Sequence, residues 1–180
     1  MKNKDSLLWF SLRIFGGALF MNILAIILVL TLSFANELLG SFIINFVVTG
    51  MGVGLTITYT YGVAWRRGFR ELSLVSRGVG IYRKTKGLIA GIIAIIPYIL
   101  LFIVFVICIK LPFAETAVGI FGLTQIPFTL IFDAFVNTDY IYLFGFIYLI
   151  IPISSFIGYV YGYKNISFSK KVMYKKDQQE

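Results

Sequence analysis

Four long apolar runs, each free of internal charge, dominate this chain: 14–34, 42–65, 88–109 and 141–161. A helix rises 1.5 Å per residue, so about 20 apolar residues cross a hydrocarbon layer about 30 Å thick. Inside that layer the backbone has no water to bond, and a helix satisfies its N–H and C=O groups within one segment. The pattern predicts an all-α integral membrane protein, a single domain over 1–180 folded as a four-helix transmembrane bundle.

Two stretches fit the pattern less cleanly. Residues 6–12 are apolar apart from their ends, and Arg13 then interrupts them; a short interfacial helix leading into the first span would let Arg13 reach the headgroups. Residues 117–136 are nearly long enough to span but carry Gln125, Pro127 and Asp133. A charge deep in lipid costs several kcal/mol unless it is solvated or paired. The expectation is an external segment lying in the interface, with a re-entrant loop buried against the bundle as the alternative. The start of the chain has the outline of a secretory signal, with Lys2, Lys4 and a small-x-small triplet at 33–35. However, signal apolar regions run about 7–15 residues, so 14–34 reads as a retained helix.

Charge sets the orientation. Basic residues gather at Lys2, Lys4 and Arg13, then at Arg66, Arg67, Arg70, Arg77, Arg83, Lys84 and Lys86, and finally at Lys164, Lys170, Lys171, Lys175 and Lys176; only Lys110 falls elsewhere. Positive residues stay in the cytoplasm during insertion. Both termini, the loop 66–87 and the tail 164–180 are therefore expected inside, which requires an even number of crossings. The same asymmetry accounts for the formal charge of +8 without nucleic acid. A charged fraction of 13% and a hydrophobic fraction of 59%, with a mean hydropathy of +0.90, exceed what one aqueous core of this size hides. The seven-cation loop is interspersed with apolar side chains, and it suits anionic headgroups or a cytoplasmic partner. A composition rich in Ile, Phe, Lys and Tyr points to a bacterial plasma membrane.

The second run has the most informative face. Asn45, Thr49, Gly52, Thr56 and Thr60 follow at spacings of 4, 3, 4 and 4, one stripe on a helix. Such a stripe turns toward other helices or a wet cavity, and Gly50 and Gly54 permit close approach on the adjoining face. Pro97 and Pro152 predict bends in the third and fourth runs, and Tyr159 lies on a second, weaker stripe. Tyr59-Thr60-Tyr61-Gly62 and Tyr159-Val160-Tyr161-Gly162 close runs two and four, a faint internal echo.

Candidate chemistry is sparse. Histidine is absent, Cys108 is the single cysteine, and no HExxH, GxSxG or P-loop occurs. We expect no catalytic, metal or cofactor residues; Glu115, Asp133 and Asp139 could at most form a weak external cation site. The leading expectation is a non-enzymatic subunit or accessory protein of a membrane complex, with a membrane protein partner or its own copies around it. The alternative is a transporter or channel component with a polar path along run two.

Overall fold

The computed structural model describes residues 7–34, 40–79, 81–110, 112, 114–136, 138 and 140–166. Glu37, Asp139, Lys2, Lys4 and the tail beyond 166 lie outside the described residues. Every regular element among the described residues is helical. Its elements are α1 (Leu7–Ser33), α2 (Ser41–Ser76), α3 (Lys86–Cys108), α4 (Ala114–Thr124), a 3-10 turn (Ile126–Phe128), α5 (Thr129–Val136), a 3-10 stretch (Ile141–Leu149) and α6 (Ile150–Tyr163). Among the described residues four helical segments are long and apolar enough to cross a membrane, the 3-10 stretch and α6 together forming the fourth, and the bent pair 114–136 would make a fifth if it were one span.

Two elements run past their expected ends. α1 is continuous from Leu7, with no break at Arg13. Instead the Arg13 guanidinium sits 5.7 Å from the Trp9 ring one turn earlier, which keeps the charge at the helix surface. Similarly, α2 does not stop near Trp65. Residues 66–76, read as loop, continue the helix to 36 residues, about 54 Å at the usual rise. Arg67 and Glu71 pair one turn apart, and no proline intervenes. The stop comes at Gly78, whose positive φ of 72° suits a residue without Cβ. There the Gly78 N–H bonds the Val75 carbonyl and the Val79 N–H bonds the Leu74 carbonyl, both at 3.0 Å, the paired closure of a Schellman motif. Asn165 ends α6 the same way.

Close contacts fix the packing. Tyr59 of α2 fills the space over Gly17 of α1, and Ala25 of α1 meets Ile44 and Val48, so α1 and α2 are antiparallel. Gly158 abuts Tyr61 and Gly162 abuts Trp65, so α6 runs parallel to α2, and this is the most extensive interface. Gly91 meets Pro152 and Gly87 meets Tyr159, making α3 antiparallel to α6. Glycine at these crossings lets backbones touch, as in lipid, where packing rather than water drives helix association. The tyrosine-glycine echo therefore falls on two helices that pack side by side.

The segment 114–136 folds into two helices bent by 90° at Gln125. Stacked and tilted rings of Phe102, Phe105, Phe121, Phe132 and Phe144 hold it to the bundle, Phe105 and Phe121 only 4.2 Å apart. Its apex, Gln125 to Phe128, is buried, and Ile126 packs between α1 and α2.

Candidate functional site

The alternating helix directions bring Arg13, Arg66, Arg67, Arg70, Arg77, Arg83, Lys84, Lys86 and Lys164 to one end of the bundle, while Lys110 lies at the other. At the basic end α2 carries an acidic side chain at the centre of a buried cluster. Glu71 is 5% exposed. It accepts hydrogen bonds from Arg67 Nε at 3.2 Å, from Lys86 Nζ and from the Tyr159 hydroxyl. One carboxylate thereby ties α2 to the starts and ends of its neighbours, α3 through Lys86 and α6 through Tyr159. Tyr82 covers it, stacked 3.5 Å from the Tyr163 ring; burial, then the neighbouring Tyr163 and Glu71, holds its phenol above the usual tyrosine range. Trp65 donates to the Ile166 carbonyl at 2.8 Å and closes the same end.

Beside this cluster, between α1 and α2, is a pocket of about 370 Å³. Its polar wall is Arg13, Arg66, Arg67 and Arg70, and Trp9, Phe10, Tyr59 and Val63 supply the apolar wall. Arg67 belongs to both features, reaching Glu71 on one side and lining the pocket on the other.

The stripe predicted on α2 is buried along most of its length, and it is consumed by contacts within the chain. Asn45 donates to Asp133 at 3.3 Å. Thr49 accepts the Leu130 N–H at 3.0 Å and lies 3.3 Å from the Thr129 hydroxyl. Gly52 faces Pro127, where a Cβ would come within 2.7 Å of the proline Cα. Thr56 lines a cavity of about 20 Å³ together with Asn22, Tyr98, Thr124, Gln125 and Tyr148. Asn22 donates to the Thr124 carbonyl at 2.9 Å. Its own carbonyl oxygen and the Tyr148 hydroxyl are buried without a protein partner, as is the Thr60 hydroxyl. The volume holds about one water molecule.

No family model, curated protein or solved structure matches the chain.

The geometry divides the expected residues into groups. Asn45, Thr49, Gly52 and Thr56 meet the bent segment, and Tyr159 meets Glu71. Gly50 and Gly54 are exposed, with nothing within 4 Å of an added Cβ. Arg66, Arg67 and Arg70 share the pocket, Lys86 joins the Glu71 cluster, and Arg77, Arg83 and Lys84 are exposed outside both. Among the described residues no three carboxylate or thiol side chains come together as a metal site would need. Glu71 itself was not singled out from sequence, although a signal exists. The stripe continues beyond Thr60 through Ala64 and Gly68 to Glu71 at spacings of 4, 4 and 3, and all three are buried.

Proposed function

We propose that this chain is a non-enzymatic subunit of a membrane complex, inserted in a cell membrane with its basic end on the cytoplasmic side. The observation that carries this reading is the fate of the α2 stripe. The polar groups that could have lined a conduit are closed over by the apex of the 114–136 segment, which we read as re-entrant. What remains on the outside is apolar. Only 22% to 39% of the residues in each span's most apolar window are buried within the chain, so lipid or a second membrane protein must cover the rest. The exposed Gly50–Gly54 face, flanked by Phe46, Val47 and Met51, offers close backbone approach to such a helix.

Mild detergent extraction of the tagged full chain, with crosslinking and mass spectrometry, tests the reading. A defined membrane protein should be recovered in constant ratio and crosslinked near Gly50 and Gly54. A lone monomer across several gentle detergents sinks the proposal.

A second reading, as a transport component, draws on one observation. The small cavity sits where a broken helix meets α1, α2 and α6, and transporters commonly place substrate sites at such breaks. Asn45→Ala, Thr49→Val and Thr56→Val would then alter flux in reconstituted vesicles without unfolding the chain. Unchanged flux in all three removes this alternative.

A further inference from the structure

Every span reaches the small cavity beside the bend of the 114–136 segment. Asn22 of α1, Thr56 of α2, Tyr98 of α3, Tyr148 of the fourth span and Gln125 at the apex all line it. Among the described residues α1 and the fourth span each pack on α2 and α3 but share no extensive interface, so they stand diagonally across the bundle. Each side of this diagonal contributes one buried polar atom without a protein partner, Asn22 Oδ1 and the hydroxyl of Tyr148, a residue only 2% exposed. The Asn22 amide is oriented by its Nδ2, which donates to the Thr124 carbonyl at 2.9 Å; reversed, it would set two carbonyl oxygens against each other. The Tyr98 ring stacks 5.8 Å from the Tyr148 ring and restrains the phenol.

The needs of the two atoms are opposite. Asn22 Oδ1 lacks a donor, and the Tyr148 hydroxyl carries a proton that lacks an acceptor. Leaving either unmet in the interior is costly, and the two do not bond one another. A water molecule donates and accepts at once, whereas a cation would serve the oxygens and strand the phenol proton. The cavity volume of about 20 Å³ exceeds the roughly 10–15 Å³ that one water requires and leaves no room for a larger solute.

We propose that this cavity is a binding site for one water molecule, which donates to Asn22 Oδ1, accepts from the Tyr148 hydroxyl and so ties α1 to the fourth span across the bundle. Thr56, 4% exposed, supplies a third polar neighbour from α2. The bridge lies beside Gln125, where the bent segment breaks, so that the apex closes on a hydrated polar centre. Neither a partner protein nor the sidedness of the basic end enters the argument.

Crystals of the full chain grown from a lipidic mesophase test this directly. One density peak is expected in the cavity, about 2.7–3.2 Å from both Asn22 Oδ1 and the Tyr148 oxygen. Contacts of about 2.3–2.6 Å, which hard cations take on oxygen, would mean a metal ion and overturn the proposal, as would an empty cavity or a Tyr148 hydroxyl bonded directly to the protein. Hydroxyl-radical footprinting of the full chain in nanodiscs gives a second readout in lipid, because X-ray pulses make radicals from bound water in place. Tyr148 should be oxidised severalfold faster than Tyr159, which is similarly buried but lies outside the cavity lining. Asn22→Leu removes the acceptor and should bring Tyr148 down to the Tyr159 rate; undiminished oxidation in that variant, once folded, counts against the bridge. Equal rates for the two tyrosines in the parent chain overturn the proposal, and that comparison stands even if Asn22→Leu fails to fold. Copurification of a partner protein bears on none of these results, so failure here is separable from failure of the subunit reading.

Discussion

Replacing Glu71 with Gln keeps the shape of the side chain and removes the negative charge that Arg67 and Lys86 share. Lys86 then loses the carboxylate it pairs with, and Arg67 loses one partner, in positions where their side chains are only 26% and 13% exposed. Breaking a buried ion pair by deleting one partner typically costs about 3–5 kcal/mol, because the remaining charge is left uncompensated. Lys86 retains partial access to water, which discounts the figure toward its lower end. We therefore expect Glu71→Gln to destabilise the protein by about 3 kcal/mol, or about a hundredfold in the ratio of folded to unfolded chains. The assay is unfolding by SDS in dodecylmaltoside micelles, followed by Trp fluorescence; Trp65 reports from the same end through its bond to the Ile166 carbonyl. Lys86→Met in the Glu71→Gln background should restore part of the loss, since the double variant no longer buries the ammonium. A cost within about 0.5 kcal/mol for Glu71→Gln, or strict additivity in the double variant, would refute the view that this carboxylate clamps three helices.

Three further substitutions test the packing of the α2 face. Gly52→Ala pushes a Cβ to 2.7 Å from the Pro127 backbone and should cost about 1–3 kcal/mol in the same assay. Gly50→Ala, two residues away with open space around it, should instead be neutral or stabilising by up to about 1 kcal/mol through helix propensity; equal effects at the two positions would mean the bent segment does not rest on α2. Thr49→Val removes the acceptor of the Leu130 N–H and should cost about 1–3 kcal/mol, with faster hydrogen exchange at Leu130 as the local readout.

What could be read from the sequence follows physical range. The four apolar runs were legible because apolar length is a local property, and each falls in helical structure long and apolar enough to cross a membrane, the fourth as a 3-10 stretch followed by α6. The α2 stripe was legible for the same reason, through helical periodicity, as far as Thr60. Its continuation to Glu71 was hidden by Arg66, Arg67 and Arg70, which made the region read as a basic loop suited to headgroups or a partner. Only the fold shows Arg66 and Arg70 exposed and Ala64, Gly68 and Glu71 buried, with Arg67 between the two faces and bonded to the Glu71 carboxylate. Arg13 was visible as a charge within an apolar stretch, but its place in a pocket with three α2 arginines depends on the antiparallel α1–α2 contact. The 90° bend at Gln125 was signalled by Pro127, whereas the burial of its apex depends on Gly52 and Thr49, more than 70 residues earlier. Contacts over such separations leave no local pattern.

Sidedness is the claim on which the functional reading most depends. Single cysteines at Ser76 and Glu115, in a Cys108→Ala background, place one thiol at each end of the bundle at exposed positions. Intact cells treated with a membrane-impermeant maleimide should label Glu115→Cys and spare Ser76→Cys until the membrane is permeabilised. Labelling of Ser76→Cys from outside, with Glu115→Cys protected, would contradict the proposed orientation of the basic end.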